Sequence, residues 1–350
     1  MSGTLTDKLS QLFSHAKSAP ARTRAGFKIG KPGGEPFLDR RHYMQVLVNE
    51  MYLAKEREWW VRYAPVALVA TTYLYGTENQ TAPVVIGPSL LKQYSQDVDG
   101  TIIRNAPVTS LHPYQGGAVT FTVIFTKVEK EDNADKVLDV LEGFAEVASP
   151  LAPPIPFSAY LKIAGNVMSG ARVLFDLPRT KPIVAYRETI NPQIAQVLEP
   201  MHLVLIDTPG LSEEEKRKFK VRDSQLYYDD APYRENDFVL LEIAQGSRRT
   251  DERTLDFYPL WVQTRKLGLQ AARQDGLWQE AKHHFNTLKV AINESSDLTE
   301  PDARRLTAGY LNELKEIRQS GAEEQELKIE ERSADTLREY QQVARQLDEL

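Results

Sequence analysis

The stretch AVTFTVIFTKV, residues 118–128, decides the fold class. Its apolar residues Val119, Phe121, Val123 and Phe125 stand at alternate positions, and threonines fill most of the positions between them. Successive side chains of a strand point to opposite faces of its sheet, so this alternation predicts a strand with one buried face. The Gly116-Gly117 pair just before it is a turn signal.

Strand-like segments continue on both sides of this one. These segments are rich in β-branched and aromatic residues, and Gly, Pro or Asp bounds most of them. They are Tyr43–Ala54, Val66–Tyr75, Pro83–Gly87, Thr101–Arg104, Pro182–Tyr186, Met201–Ile206 and Asp237–Ile243. Phe219–Arg222 and Gln225–Tyr228 predict a hairpin that turns at Asp223-Ser224. Between the strands, three- and four-residue apolar spacing predicts helices at Asn133–Ser149 and Phe157–Leu177.

These patterns predict an α+β protein. Its N-terminal domain is β-rich and sandwich-like, with a helical hairpin insertion, and an α-helical C-terminal region follows. We place an N-terminal helix and linker at 1–42, the β-rich domain at 43–250 with its insertion at about 133–176, and the helical region at 256–350.

The composition excludes several classes of function. A net charge of −6 argues against broad nucleic-acid binding, which relies on a basic excess. The chain has no cysteine, so disulfides, thiol nucleophiles and thiolate metal sites are excluded, and a cytoplasmic location is favoured. The sequence has no run of about 18 apolar residues, so no constitutive membrane span is predicted. At the N-terminus, Leu5, Leu9, Leu12 and Phe13 have helical spacing and predict an amphipathic helix.

No stretch carries a recognisable catalytic constellation. Asp207-Thr208-Pro209-Gly210 resembles the magnesium-side motif of GTPases, but the sequence has no G-x-x-x-x-G-K-[S/T] phosphate cradle, so a turn is predicted. The adjacent pair His283-His284 would point about 100° apart on a helix and could not easily share one ion. We therefore assign no catalytic residue, cofactor or metal ligand. A divergent hydrolase or nucleotide-binding site around Asp207 and His202 remains an alternative hypothesis.

The acidic stretch Glu213-Glu214-Glu215 has an ordinary structural explanation. Ser212 stands three residues before Glu215, the spacing of a capping box at the start of a helix. We interpret these carboxylates as a helix start that faces water.

The apolar segment Ile155–Phe175 allows two interpretations. Its large side chains include Phe157, Tyr160, Val167 and Phe175, and its only charges are Lys162 and Arg172. The first interpretation is a buried helix packed on the sheet through its small residues. In the second, the hairpin at 133–176 enters a bilayer after a trigger, and the chain would be a membrane-active effector. The charges of Lys162 and Arg172 make a stable membrane span costly.

The last segment of the chain is strongly charged and carries a thin apolar seam. Leu327, Ala334, Leu337, Ala344 and Leu347 form this seam, and Tyr340 lies beside it. Such a seam either completes the protein's own helical bundle or docks on a partner, as in coiled coils. For the second case the candidate docking residues are Leu327, Leu337, Tyr340 and Leu347.

Two short stretches, Pro113–Val119 and Ala272–Ala281 running on to Thr299, resemble stretches in accessory proteins of bacterial conflict and anti-phage systems. The resemblance implies at most an interaction subunit beside a separately encoded enzyme or sensor. The leading hypothesis is thus a non-enzymatic interaction or scaffold subunit of a bacterial multi-protein assembly. Its partners would be other proteins of the same system, and a homo-oligomer stays open.

Overall fold

The computed structural model describes residues 4–18, 25–54, 57–58, 61–87, 103–109, 111–129, 157–177, 180–194, 196–208, 210–272 and 277–319. Several predictions lie outside these ranges: the helix at 133–149 and the candidate docking residues Leu327, Leu337, Tyr340 and Leu347. The backbones of Phe157 and Tyr160 are described, whereas their side chains are not.

Strands dominate the chain up to residue 246, and long helices follow. The strands are β1 (Ala25–Gly30), β2 (Tyr43–Tyr52), β3 (Arg57–Glu58), β4 (Val61–Tyr75), β5 (Glu78–Ile86), β6 (Ile103–Pro107), β7 (His112–Pro113), β8 (Val119–Glu129), β9 (Lys181–Ile190), β10 (Met201–Ile206), β11 (Phe219–Arg222), β12 (Gln225–Tyr228), β13 (Ala231–Pro232) and β14 (Phe238–Gly246). The α-helices are α1 (Leu5–Ser18), α2 (Phe157–Phe175), α3 (Glu213–Lys218), α4 (Tyr258–Ala271), α5 (Trp278–Glu294) and α6 (Glu300–Gln319).

Two large antiparallel sheets form a β-sandwich. The first sheet has six strands in the order β1-β10-β14-β2-β6, with β7 beside β2. The second has five, in the order β3-β4-β8-β9, with β5 beside β4. Apolar side chains from both sheets fill the space between them, among them Val46, Val48, Leu203 and Val239 from the first and Val69, Val84, Phe121 and Val123 from the second. The predicted α+β class, with a sandwich-like N-terminal part and a helical C-terminal part, is confirmed.

Strand β8 is buried on both faces, whereas its alternating sequence predicted one buried face. Val119, Phe121, Val123 and Phe125 point into the sandwich core, as the alternation indicates. The opposite face is also covered, because helices α1 and α2 pack on it around Ile124. Thr122 and Thr126 of this face are therefore buried too, whereas Thr120 is half-buried.

Helix α2 is the layer that covers the outer face of the second sheet. Val167, Met168, Leu174 and Phe175 are buried in one cluster with side chains of β4, β5 and β8. This packing shows a helix buried against the sheet, but through these large side chains. The expected packing through small residues such as Gly165 and Ser169 is wrong, since Ser169 is exposed and a methyl group added at Gly165 would meet no described neighbour within 4 Å. Within the described residues, no helix is long and apolar enough to cross a membrane.

A strand lies inside the segment for which the sequence predicted a linker. Strand β1 pairs antiparallel with β10, from Ala25 opposite Ile206 to Gly30 opposite Met201. Its partner lies more than 170 residues away in the sequence, and glycines occupy two of its six positions. Local composition therefore masked a strand that only long-range pairing stabilises.

The predicted hairpin is confirmed, and it covers part of the first sheet's outer face. β11 and β12 pair antiparallel, and their turn residues Asp223 and Ser224 have φ angles of 48° and 62°, as a tight two-residue hairpin turn requires. Phe219 and Leu226 pack on apolar side chains of β10 and β14. The predicted capping box is also present at the start of α3, where Ser212 Oγ accepts from the backbone N–H of Glu215 at 3.2 Å.

Helices α4, α5 and α6 pack on one another as a three-helix bundle. Their core contains Trp261, stacked on Tyr310 at 4.3 Å between ring centroids, and the buried side chains Phe285, Leu288, Ile292, Leu306 and Leu314. Apolar contact among three amphipathic faces is what holds such a bundle together.

A buried polar network fixes the bundle to the sandwich. Tyr43 of β2 donates its hydroxyl hydrogen to Asp302 Oδ2 of α6 at 2.9 Å, and the same oxygen accepts from the backbone N–H of Arg249 at 2.9 Å. The Arg249 guanidinium is almost fully buried; it forms two bonds to the Asp251 carboxylate, at 2.7 and 2.6 Å, and one to the Asp297 carbonyl at 2.8 Å. We call these residues the sandwich–bundle network.

Candidate functional site

Two adjacent polar residues, Asn49 and Glu50, interrupt the apolar strand β2. Val48 pairs with Leu241 and Glu50 pairs with Leu240, so Asn49 is an extra residue that forms a β-bulge. In a regular strand, neighbouring side chains point to opposite faces, and a bulge re-aims one of them. Here it places both Asn49 and Glu50 on the outer face of the first sheet, where each bonds a partner.

Three polar side chains meet around Glu242 on this face. Glu242 accepts hydrogen bonds from Lys31 Nζ and from Asn49 Nδ2, the latter at 2.8 Å. His202 stands directly opposite Glu242 on the neighbouring strand, with its Nε2 3.9 Å from Glu242 Oε2. Asn49, His202 and Glu242 are buried, and the Lys31 side chain is about one third exposed. We call these four residues the outer-face cluster.

The surroundings set the protonation states within the outer-face cluster. Burial lowers the pKa of His202, and the nearby Lys31 charge lowers it further, outweighing the attraction of Glu242. Burial by itself would raise the pKa of Glu242, but hydrogen bonds from Lys31 and Asn49 together with the positive charges nearby hold it below its ordinary value. At neutral pH the cluster therefore contains a neutral imidazole and an ionised carboxylate.

One acceptor in the cluster is left unused. Asn49 is fully buried and its Nδ2 donates to Glu242, whereas its Oδ1 has no hydrogen-bond partner among the described residues. A buried polar atom without a partner costs free energy, of the order of 1–3 kcal/mol. Asn49 Oδ1 is therefore an acceptor whose hydrogen-bonding capacity is not met by the described residues.

Glu50, the other polar residue of the bulge, has a structural role. Its carboxylate accepts from the backbone N–H of Leu226 and from Arg234 Nη2, both at 2.7 Å. The Arg234 guanidinium also lies over the Tyr52 ring, 5.1 Å from its centroid. Leu226 lies on β12 of the hairpin and Arg234 follows β13, so Glu50 anchors the hairpin and the segment after it to the first sheet.

The residues of the predicted hydrolase or nucleotide-binding site do not lie side by side. His202 is the second residue of β10 and Asp207 follows its last residue. At about 3.4 Å per residue the two positions are about 17 Å apart along the strand. The backbone N–H of Asp207 donates to the Asp237 carbonyl at 2.9 Å, in the loop at the end of the strand. The two residues therefore belong to different surroundings.

The other singled-out residues are equally dispersed. Val167 and Phe175 belong to α2 and are buried against the second sheet. His283 and His284 lie on α5 with their ring centroids 6.3 Å apart. Among the described residues, no three His, Asp or Glu side chains group as ligands of a metal ion.

A shallow cleft of about 310 Å³ lies between the β1–β2 connection and the start of α6. Arg40, Asn293, Glu300 and Arg304 are among its lining residues. The backbone N–H of Glu300 already donates to the Arg40 carbonyl at 2.8 Å, and Arg304 faces Glu300 at 3.5 Å. The Glu300 N–H and the Arg304 guanidinium, two of the groups here that would attract an anion, are thus paired within the protein.

Nothing in the local sequence predicted a role for Lys31, Asn49 or Glu242. The outer-face cluster joins residues up to 211 positions apart. One signal was present: Glu242 stands within the apolar run FVLLEIA, residues 238–244. A carboxylate in an otherwise buried strand needs a partner.

Comparison of the chain with protein-family models, with curated proteins and with solved structures finds no match.

Proposed function

We propose that this chain is a non-enzymatic interaction subunit of a multi-protein assembly, with residues 320–350 as its docking segment. The observation that carries the proposal is the self-contained core of the bundle. Leu288 and Ile292 of α5 and Leu306 and Leu314 of α6 are buried against one another and against Trp261 of α4. Because the three helices cover one another's apolar stripes, the terminal seam is not needed to complete this core.

The chemistry of the terminal segment supports a helical partner surface. Its apolar residues recur at spacings of three and seven, as between Leu337, Tyr340 and Leu347, among many charged residues. Narrow seams with charged flanks are typical of helices that pack into another helix or groove. The partner would be another protein of the same system, or a second copy of this chain with the same seam.

The sandwich–bundle network supports the scaffold part of the proposal. Tyr43 of the sandwich and Asp302 of α6 are joined by a buried hydrogen bond, and α6 leads directly to residue 320. A partner held at the terminal segment would therefore be tethered to the sandwich through α6. The short resemblances in the sequence favour a bacterial defence system as the setting, and the lack of cysteine favours the cytoplasm.

The packing of α2 weighs against a membrane-active effector. Val167, Met168 and Leu174 share a buried cluster with Leu68 and Ile124 of the second sheet. Moving the helix into a bilayer would expose these sheet residues to water, at a cost of about 25 cal/mol for each Å² of apolar surface.

The test uses the full chain with Leu337→Asp and Leu347→Asp, purified from its native host. We expect the wild type to elute with a partner at fixed stoichiometry, or as an oligomer, by size-exclusion chromatography with light scattering. The double variant should elute as a monomer, because two carboxylates would enter the apolar seam. Its thermal unfolding temperature should equal that of the wild type diluted until it is dissociated, because binding of a partner by itself stabilises the folded state.

Gln342→Asp is the matched control. Position 342 lies on the side of a helix opposite Leu337 and Leu347, so the same charge there should leave the assembly intact. A wild-type chain recovered only as a monomer would contradict the proposal. An unfolding temperature of the double variant below that of the dissociated wild type would instead show that the seam packs on its own bundle.

A further inference from the structure

We propose that helix α1 is a displaceable cover of a helix-binding groove, and that a partner protein binds this groove with an amphipathic helix in place of α1. The groove is the part of the second sheet's outer face that lies beneath α1, and we call it the α1 groove. The apolar side chains that pack with α1 there include Ile124 of β8 and the partly buried Ala185 of β9. The α1 groove is separate from the terminal segment, so the Leu337 and Leu347 variants do not test it.

One stripe of α1 fits the α1 groove. Leu9, Leu12 and Ala16 are buried, and Leu5 is partly buried against the same cluster. These four residues are spaced by four, three and four positions, the repeat by which an amphipathic helix presents one face to a groove. The stripe is therefore a template for the partner's helix. It requires three large apolar side chains, followed by a small one at the fourth position, where Ala16 is fully buried.

The contacts that hold α1 suit a cover that can leave. A helix of 14 residues is marginal in water, so α1 depends on its docking to stay helical. Arg187 Nη1 donates to Ser10 Oγ at 3.2 Å, and the Thr6 and Thr81 hydroxyls are 3.5 Å apart. Both distances are long for hydrogen bonds of their kind. Residues 19–24 join α1 to β1, and the helix takes no part in strand pairing, so it can leave with both sheets intact.

The floor of the α1 groove contains a hydroxyl that α1 does not use. Thr122 lies on the outer face of β8, directly opposite Arg187 of β9, and α1 lies over these two strands. Its Oγ1 is buried and has no hydrogen-bond partner among the described residues. A buried hydroxyl without a partner costs free energy, so docked α1 carries a penalty that a competing helix can avoid. A partner helix with a Ser, Asn or Gln side chain over Thr122 would make the missing bond.

Fluorescence anisotropy of a labelled synthetic peptide of residues 4–18 tests the α1 groove, because α1 is the helix that the structure shows in it. We expect this peptide to bind the full chain weakly, since α1 already occupies the groove. In Leu9→Asp the carboxylate cannot stay in the apolar cluster, so α1 leaves and the peptide should bind at least about tenfold more tightly. Gln11→Asp places the same charge on the exposed side of α1 and should bind the peptide as the wild type does.

A reversible lock tests displacement with the apolar stripe intact. The chain has no cysteine, so Thr6→Cys with Thr81→Cys can form one intramolecular disulfide bond only. The two threonine hydroxyls are 3.5 Å apart, near enough for this bond after side-chain rotation. Oxidation should weaken peptide binding at least about tenfold relative to the reduced protein, because the tethered helix stays in the groove.

Circular dichroism checks that each variant, oxidised or reduced, is folded. Absence of peptide binding by folded Leu9→Asp, or equal affinity of this variant and the wild type, would overturn the proposal. Equal affinity of the oxidised and reduced forms of the cysteine variant would overturn it as well, whatever the result with Leu9→Asp.

Discussion

His202 makes the stability of the protein depend on pH near neutrality. Burial and the Lys31 charge hold its pKa below the ordinary value of 6.5 in the folded protein. Between these two values the unfolded chain binds a proton that the folded protein does not, so the free energy of unfolding falls as the pH is lowered. We expect His202→Gln to reduce this fall when urea unfolding is measured between about pH 7 and about pH 5.

The neighbouring charges do not reverse this sign. Glu242 and Lys31 both face His202, and Glu242 loses its stabilising effect only at lower pH, because its folded pKa lies below its ordinary value of 4.5. His283→Gln, on the exposed side of α5, is the control and should leave the pH dependence unchanged. Identical slopes for wild type and His202→Gln would contradict the prediction.

The role of a single residue could be predicted from the sequence only where its signal was a local pattern. The capping box of Ser212 and Glu215 follows from a spacing of three, and it was predicted correctly. Asn49 joins the outer-face cluster only because a bulge turns it toward Glu242, 193 positions later in the chain. No local pattern encodes such a bulge, so the four residues could not have been grouped without the sheet register.

At the scale of the elements, the crossing of α4 and α6 depends on one glycine. A methyl group added at Gly268 would lie 2.5 Å from Leu314 Cδ1, inside the bundle core. We expect Gly268→Ala to destabilise the protein by about 1 kcal/mol or more, since overpacking a filled core forces side chains from their rotamers. Urea unfolding of the variant measures this change.

Gly309 offers the matched control on α6. No heavy atom lies within 4 Å of a methyl group added there, so Gly309→Ala gains helix propensity without a clash. The expected stabilisation is about 0.5–1 kcal/mol, opposite in sign to the change at Gly268. Equal effects of the two substitutions would show that the helix crossing does not require a small residue.

Elements with strong local patterns were predictable, and elements defined by distant partners were not. The hairpin β11–β12 carries its own turn, and α2 carries a continuous apolar face, so both were recognised. β1 becomes a strand only by pairing with β10. The burial of both faces of β8 likewise depends on helices from other parts of the chain, which alternation alone cannot reveal.

At the scale of the whole molecule, the fold class could be inferred because apolar residues at alternate positions and apolar residues at helical spacing occupy different parts of the chain. The strands lie within residues 25–246 and the long bundle helices within 258–319. Periodicity does not say which sheet a strand joins. The first sheet combines strands from both ends of the β-rich part, and the sandwich–bundle network joins Tyr43 to Asp302 across 259 positions.

That network should make the sandwich and the bundle unfold together. The Tyr43 hydroxyl is buried, donates to Asp302 and accepts from the backbone N–H of Thr299 at 3.2 Å. Tyr43→Phe keeps the ring but leaves the Asp302 carboxylate and the Thr299 N–H without this partner. The free energy of unfolding should fall by about 1–3 kcal/mol. We expect the wild type to show one thermal transition by helical circular dichroism and by calorimetry, and the variant to lose helical signal first.

Tyr186→Phe separates loss of coupling from loss of a hydroxyl. The Tyr186 hydroxyl donates to Glu188 at 2.6 Å within the same strand, so its removal affects the sandwich alone. This variant should unfold in a single transition at a lower temperature, with helical signal and heat absorption coincident. If Tyr43→Phe behaves in the same way, the contacts between sandwich and bundle other than Tyr43 are sufficient for cooperativity, and the hydroxyl is not what couples them.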